Sequence, residues 1–439
     1  MLSRGPLVLL LWILMQGQCR AQSAIVFQDS LEFDRSEELE WSDWKVASIR
    51  VTGLEHVREE AVIRELEMHP GDLYSDAELV QDANAIKNTL LFARLVVTVS
   101  PDSLDESVHV TYALKERPRF LFLPLLKPGE LAGQWDYGFA LQHNNVSGLG
   151  RKLTLEARTG SNDALSVIWY DPWLWKRRLG LLLAADYRDQ VVQRTQDGVS
   201  SDYRRRLVRV SSRLESFLDP QRSWFVDPGW YSLSSDDHLG QRTTVNPSGR
   251  DRFTSLGVGA ILNTTDIHVN PERGDKAYAS VQFFGLYGPE NPAGTRMDLS
   301  GSHFWSLGPV VLGVNGQLAR TVGRRPEYME HTLGGQTTVR GLSGGSWGGW
   351  SSAIAKLECR IPLIDKRIVL HRYDLALGGV IFADAGETWQ DRLARGSGVR
   401  TGTGAGLRLF APFVDVISFD AAWSRESGMQ VYVYTGQSF

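Results

Sequence analysis

The stretch Gly334-Gly335-Gln336-Thr337-Thr338-Val339-Arg340-Gly341-Leu342 decides how the second half of this chain is read. It sets an arginine in a glycine-rich loop. Glycine tolerates positive φ and leaves room beside the backbone, so such an arginine can enter a confined space. Its planar guanidinium can then pair with two carboxylates at once. Two candidates follow in the sequence: the alternating segment from Ser352 to Arg360 carries Glu358, and a second strand pattern ends in Phe382-Ala383-Asp384-Ala385-Gly386. An arginine-glycine loop by itself is an ordinary exposed turn. A loop arginine followed by inward carboxylates on two successive strands is a sharper pattern.

Working outward, the first 21 residues read as an export signal. Arg4 precedes the apolar run Pro6 to Met15, and Cys19-Arg20-Ala21 offers small residues at cleavage spacing. A lipoprotein signal on Cys19 is the weaker alternative, because Gln18 stands where that signal needs a small residue. Cleavage after Ala21 would remove Arg4 and Arg20 and take the formal charge from −4 to −6. Cys359 would then be the sole cysteine, which excludes an intramolecular disulfide and suits packing or a lipid-facing surface. The mild negative charge gives no support to nucleic-acid binding. Beyond the signal no apolar run approaches the roughly 20 residues of a membrane helix. The 43 glycines, 14 tryptophans and 13 tyrosines fit a soluble all-β protein or a transmembrane barrel with aromatic girdles.

Residues 22 to 43 form an acidic lead, with Asp29, Glu32, Asp34, Glu37, Glu38, Glu40 and Asp43 offset only by Arg35. That composition predicts a solvated linker. From 44 to 118 the pattern is one α/β module. Lys45 to Val51 alternates as a strand, Val57 to Met68 has helical spacing, and Pro70-Gly71 breaks it. Ser75 or Asp76 caps a second helix through Leu90. Phe92 to Ser100 and Val108 to Leu114 then read as paired strands.

From 119 to 439 the chain is strands and turns. In Lys152 to Arg158, Leu153, Leu155 and Ala157 oppose Lys152, Thr154, Glu156 and Arg158; Ala279, Val281 and Phe283 likewise oppose Ser280 and Gln282. Fifteen candidates can be placed, near 135–144, 152–159, 164–170, 179–189, 204–218, 223–234, 252–263, 275–287, 295–305, 310–320, 351–362, 376–384, 400–410, 414–424 and 429–438. A soluble sandwich would also alternate, hiding its apolar face in a core. The export signal, the charged second face and the aromatic strand ends favour an all-β transmembrane β-barrel, and bacterial single-chain barrels use even strand numbers.

The arginine loop and its two carboxylate strands resemble the Omp85 superfamily, outer-membrane barrels that insert or move other polypeptides. The 44–118 module resembles a POTRA domain by element order. Further segments agree: the turn Asn145-Val146-Ser147-Gly148-Leu149-Gly150-Arg151 after the first barrel strand, and Tyr170-Asp171-Pro172-Trp173-Leu174 after the third. Thr401 to Arg408 places Gly402, Gly404 and Gly406 on one face, where another segment can pack against the wall. The terminal Phe439 resembles the signal by which assembly machinery recognises barrels, although Tyr432 and Tyr434 have the opposite parity. Together these segments span essentially the whole mature chain.

The resemblance implies 16 strands, one more than the fifteen placed, and a loop held in the lumen through Val339, Arg340, Gly341 and Leu342. Its implied anchors are Glu358, Asp384 and Gly386. It also implies a bacterial outer-membrane location, with the POTRA domain in the periplasm. The implied partners are outer-membrane lipid, unfolded polypeptide clients at the POTRA edge and barrel seam, and the barrel assembly machinery for the chain's own insertion. No cofactor or metal is implied.

Two readings of function stay open at this stage. One is an insertase or translocase that uses no nucleotide. The other is a passive or gated pore, or a structural barrel, with no client. The single POTRA module departs from the main assembly factor, which has several, and from two-partner secretion pores, which usually have two. The arginine cluster itself suits pure stabilisation as well as client handling. An enzyme is not indicated: there is no Gly-x-Ser-x-Gly elbow, no sequence remains for a fused lipase, and His303, His331 and His371 are scattered.

Overall fold

The computed structural model describes residues 32–35, 41, 43–128, 135–160, 162–196, 199–236, 243–285, 287–344, 347–369, 373–390, 398–411 and 416–439. The expected export signal and His371 lie outside them.

The N-terminal module is a four-stranded sheet with two helices. Its elements are β1 (Glu32–Arg35), β2 (Lys45–Thr52), α1 (Glu60–Ile63), α2 (Asp76–Asn88), β3 (Phe92–Asp102) and β4 (Ser107–Glu116). The strand order is β1-β3-β4-β2, with β1 parallel to β3 and β2 parallel to β4. A core of Val62, Leu66, Leu79, Ile86, Leu95, Val97, Val110 and Tyr112 holds the helices to the sheet. Ser75 caps α2, its Oγ accepting the Glu78 N–H at 3.4 Å.

Two expectations need correction here. The helix expected from Val57 to Met68 is a single turn. The Glu67 and Met68 N–H groups donate to the buried Asp82 carboxylate at 2.7 and 3.3 Å instead of continuing an intrahelical ladder. Part of the acidic lead is also ordered, as β1 at the sheet edge. Backbone pairing with β3 needs no apolar side chains, and charged sequence is common on sheet edges.

Sixteen strands form one continuous sheet. They begin with β5 (Phe120–Pro128), β6 (Trp135–Val146), β7 (Arg151–Gly160) and β8 (Asn162–Asp171). Next come β9 (Leu179–Gln196), β10 (Val199–Phe217), β11 (Arg222–Ser235) and β12 (Arg250–Asn263). β13 (Gly274–Gly285), β14 (Ala293–Leu307) and β15 (Val310–Arg324) lead into the long arginine loop. Within that loop β16 (His331–Leu333) pairs with β17 (Trp347–Gly349). The wall resumes with β18 (Ser351–Val369), β19 (Tyr373–Trp389), β20 (Arg400–Phe410), β21 (Val416–Ser424) and β22 (Gly428–Thr435). Every neighbouring pair in the wall is antiparallel. Among the described residues no ladder joins the two terminal strands, β5 and β22.

The outward face is apolar and exposed, with Leu165, Val210, Leu256, Phe283, Leu299, Ile381 and Val431 among its side chains. A soluble sandwich would hide such a surface; a barrel in lipid presents it. No helix among the described residues is long and apolar enough to cross a membrane.

Each of the fifteen strand candidates has its counterpart, and the strand without a candidate is β5. Its sequence, Phe120-Leu121-Phe122-Leu123-Pro124-Leu125-Leu126-Lys127-Pro128, does not alternate and holds two prolines, which sheets tolerate at an edge. The two family-like turns therefore follow the second and fourth wall strands, not the first and third. β22 ends at Thr435, short of the expected 438, and Gly436 turns the chain away with φ +86°.

The α/β module docks on the turns at one barrel mouth. The Arg58 N–H donates to the Gly148 carbonyl at 2.9 Å and Arg64 Nη2 to the Leu149 carbonyl at 2.8 Å. Trp173 Nε1 donates to Glu65 at 2.8 Å while its ring lies near the guanidiniums of Arg64 and Arg178, at 5.2 and 5.6 Å. Asn88 bonds the β12–β13 turn at Asp266 and His268. Glu116, closing β4, accepts the N–H groups of Glu55, His56 and Val57 at 2.7 to 2.8 Å.

Candidate functional site

The loop between β15 and β18 folds into the lumen, and its arginine is fully buried. Arg340 Nε and Nη2 donate to the two oxygens of Asp384 at 2.7 and 2.9 Å, and its backbone N–H adds a third bond at 3.0 Å. Nη1 donates to Glu358 at 2.7 Å and to Asp420 at 3.1 Å. The guanidinium carbon sits 3.5 Å from the ring centroid of Phe382. Strand parity explains the meeting. Glu358 on β18 and Asp384 on β19 both project inward, with Lys356 registered opposite Asp384 and Phe382 opposite Glu358.

The sequence reading missed part of the cluster. Asp420 on β21 also accepts from Arg408 Nη1 at 2.5 Å and from the Tyr434 hydroxyl at 2.8 Å. Arg360 Nε donates to Glu358 at 3.0 Å. Three guanidiniums thus face three carboxylates inside the wall, which offsets the cost of burying either sign alone. The alternation of Ser418, Asp420, Ala422 and Ser424 against Ile417, Phe419, Ala421 and Trp423 already put Asp420 on the inner face. Only its distance in sequence from the loop concealed the partnership.

The flanking loop residues are buried too. Val339, Leu342 and Leu333 pack with Ile354 and Trp347. Gly341 adopts φ +94° with its backbone against Trp423, and its N–H donates to the Tyr432 hydroxyl at 3.0 Å. A Cβ at Gly386 would come within 2.9 Å of Val339, and one at Gly402 would collide with the Arg340 carbonyl oxygen. Gly404 gives similar clearance to the Phe382 ring.

Phe439 lies inside as well. Its ring stacks on Phe304 of β14 at 5.8 Å and near Arg360, while Gln437 accepts from Arg408 at 2.9 Å. A cavity of about 350 Å³ separates Val80 and Asn84 of α2 from Arg360 and Arg408 in the barrel. His303 lies beside Asp275 and His331 beside Thr321, well apart from the loop arginine's partners.

A 16-stranded wall with an apolar outer face, an ion-paired loop in its lumen and an α/β module at one mouth defines a transmembrane β-barrel with a soluble appendage. The Omp85 superfamily domain model matches residues 145–439, and the POTRA model, described as a surface antigen variable number repeat, matches residues 44–117. The chain belongs to the Omp85 superfamily, whose members are outer-membrane barrels. Among solved structures it is similar to BamA from Haemophilus ducreyi lacking POTRA domains 1–3, at 18% identity and TM-score 0.54, covering 90% of this chain and 83% of that one. It is also similar to CdiB from Escherichia coli, at 15% identity and TM-score 0.61, covering 89% and 76%. CdiB from Acinetobacter baumannii aligns at 12% identity and TM-score 0.55, covering 90% and 71%. These likenesses are of fold. No curated protein matches the chain.

Proposed function

We propose that this protein assists the insertion or translocation of polypeptides at the bacterial outer membrane, without nucleotide or enzymatic chemistry, and with its POTRA domain in the periplasm. The observation that carries this reading is that, among the described residues, no ladder joins the two edges β5 and β22 of an otherwise continuous wall. In hydrocarbon, unpaired backbone groups are costly, so a strand-forming client that supplies partners at such an edge is stabilised there. β5 suits a separable seam because Pro124 and Pro128 have no N–H to donate.

The POTRA sheet provides a second edge for an extended client, by strand addition. One side of it already carries β1. The loop with Val339, Arg340, Gly341 and Leu342, fixed by Glu358, Asp384 and Gly386, serves as a rigid inner brace while the seam moves. Phe439 serves as the signal for the chain's own assembly by the barrel machinery.

Depletion in cells tests the assignment. Loss of many outer-membrane barrels or of a secreted chain is the expected result. A change in small-solute permeability alone would instead identify a passive pore.

A further inference from the structure

The barrel rim farthest from the POTRA domain carries an outward-facing basic patch that the lumen and seam do not use. Strand register places Arg206 of β10 opposite Ser234 of β11, and Ser234 opposite Arg250 of β12. One step toward the membrane centre, Val208, Ser232 and Arg252 share the next outward row. Across three strands spaced about 4.8 Å apart, the Arg206 and Arg250 backbones stand roughly 10 Å apart. Arg204, Arg206, Arg250 and Arg252 are all exposed.

The charge is not balanced locally. Arg204 and Arg206 share the one carboxylate of Asp189. Arg250 and Arg252 make no side-chain ion pair among the described residues. The other described acids near this rim are Asp163 on the β8 flank, Asp202 at the tip of β10, Asp236 just past β11, whose N–H donates to the Arg204 carbonyl, and Glu290 beside Asn291, which accepts the Arg252 N–H. None pairs with the guanidinium of Arg250 or Arg252, so these two cations have no carboxylate partner among the described residues. This stands out on a chain of net charge −4.

Below the arginines the same face turns aromatic and then aliphatic. Trp230 donates Nε1 to the Tyr287 hydroxyl at 3.1 Å, and Val210, Leu256, Val258 and Trp224 follow as exposed apolar side chains. Aromatic rings of that kind mark the boundary between hydrocarbon and headgroups. The arginines therefore sit at headgroup height, where guanidinium forks match phosphate oxygens and serine hydroxyls can add bonds.

We propose that the Arg206–Arg250–Arg252 patch binds the phosphate groups of a phosphorylated glycolipid in the outer leaflet. The outer-leaflet assignment rests on the orientation proposed above; the phosphate chemistry does not.

Native mass spectrometry of the full-length purified protein in detergent, titrated with diphosphoryl lipid A, tests the patch directly. Arg250→Gln with Arg252→Gln is expected to weaken retention by about tenfold or more, through loss of charge-assisted bonds. Ser234→Glu, which puts a carboxylate between Arg206 and Arg250, is a second variant that leaves the arginines in place and should also weaken it. Heat-modifiable mobility checks that both variants fold. Unchanged retention in the folded variants, or equal retention of dephosphorylated lipid, would overturn the proposal. Displacement of the lipid by inorganic phosphate would assign the site to free phosphate and overturn the lipid reading. In cells, Ser248→Cys, in the exposed turn before β12 and outside the patch, in a Cys359→Ser background reports orientation separately, by its reaction with a membrane-impermeant maleimide. Labelling is expected. Absent labelling with intact lipid retention would overturn the orientation and the outer-leaflet occupant with it, whereas labelling with lost specificity would overturn the patch alone.

Discussion

Arg340 and Asp384 form a two-pronged pair in the lumen, with Nε and Nη2 each donating to a separate carboxylate oxygen at 2.7 and 2.9 Å. Both side chains are fully shielded from solvent. The pair ties a loop that enters from one rim to the inner face of a wall strand. Glu358 and Asp420 extend the tie to two more strands.

Truncating this arginine leaves three carboxylates with one guanidinium fewer. Removing one partner from a buried pair costs about 3–5 kcal/mol. Arg340→Ala should therefore lower the thermal midpoint at which the folded form is lost on heat-modifiability gels. Arg340→Lys should recover little of it, since a point charge cannot span Asp384 and Glu358 together. Unchanged mobility and assembly in the alanine variant would refute the anchoring role.

The loop's close approach to the wall depends on Gly402, where any Cβ meets the Arg340 carbonyl. Gly402→Val should leave β20 competent to pair yet displace the loop. Limited proteolysis of assembled barrels should then cut within 334–344 in the variant and spare the native protein. Equal resistance in the two would show that the loop docks without that clearance.

Acid should loosen the junction between the POTRA domain and the barrel. Burial alone would push the Glu116 carboxyl up, but the N–H groups of Val57, His56 and Glu55 outweigh it and hold it below the usual carboxylate range. An acid depressed in the folded state adds stability above its unfolded pKa, about 4.3 for glutamate. That stability is lost as the pH falls through the folded value. Amide protection factors at residues 55–57, which divide out the acid slowing of intrinsic exchange, should fall below about pH 4. In Glu116→Gln those amides should already exchange faster at neutral pH and should lack that acid limb.

β1 lies along β3, on the POTRA edge that an extended client would extend. Deleting residues 32–35 should raise client crosslinking to β3, measured from a photoreactive residue at the exposed Ser100. A fall in crosslinking would mean that β1 helps build the receiving edge instead of covering it.

Much of this architecture was legible from alternation, because a wall strand with lipid on one face and polar lumen on the other has a strict period of two. Val281 and Phe283 against Ser280 and Gln282 illustrate that logic. β5 escaped it because an apolar run broken by prolines has no such period. Arg340, Glu358 and Asp384 could be nominated from loop chemistry and strand parity. Asp420 and Tyr432 could be placed on inner faces, yet their partnership with the loop arises only when the sheet curls. The one-turn α1 was misjudged for a similar reason, since Asp82, fifteen residues on, captures the Glu67 amide.

The central claim is that the seam between β5 and β22 handles polypeptide. Photoreactive residues at Phe122 on β5 and at Val431 and Val433 on β22, all exposed, would test it in intact cells. Reproducible adducts with unfolded outer-membrane or secreted chains are the expected result. Adducts with lipid alone, in a correctly assembled barrel, would contradict the claim and leave a closed pore or scaffold.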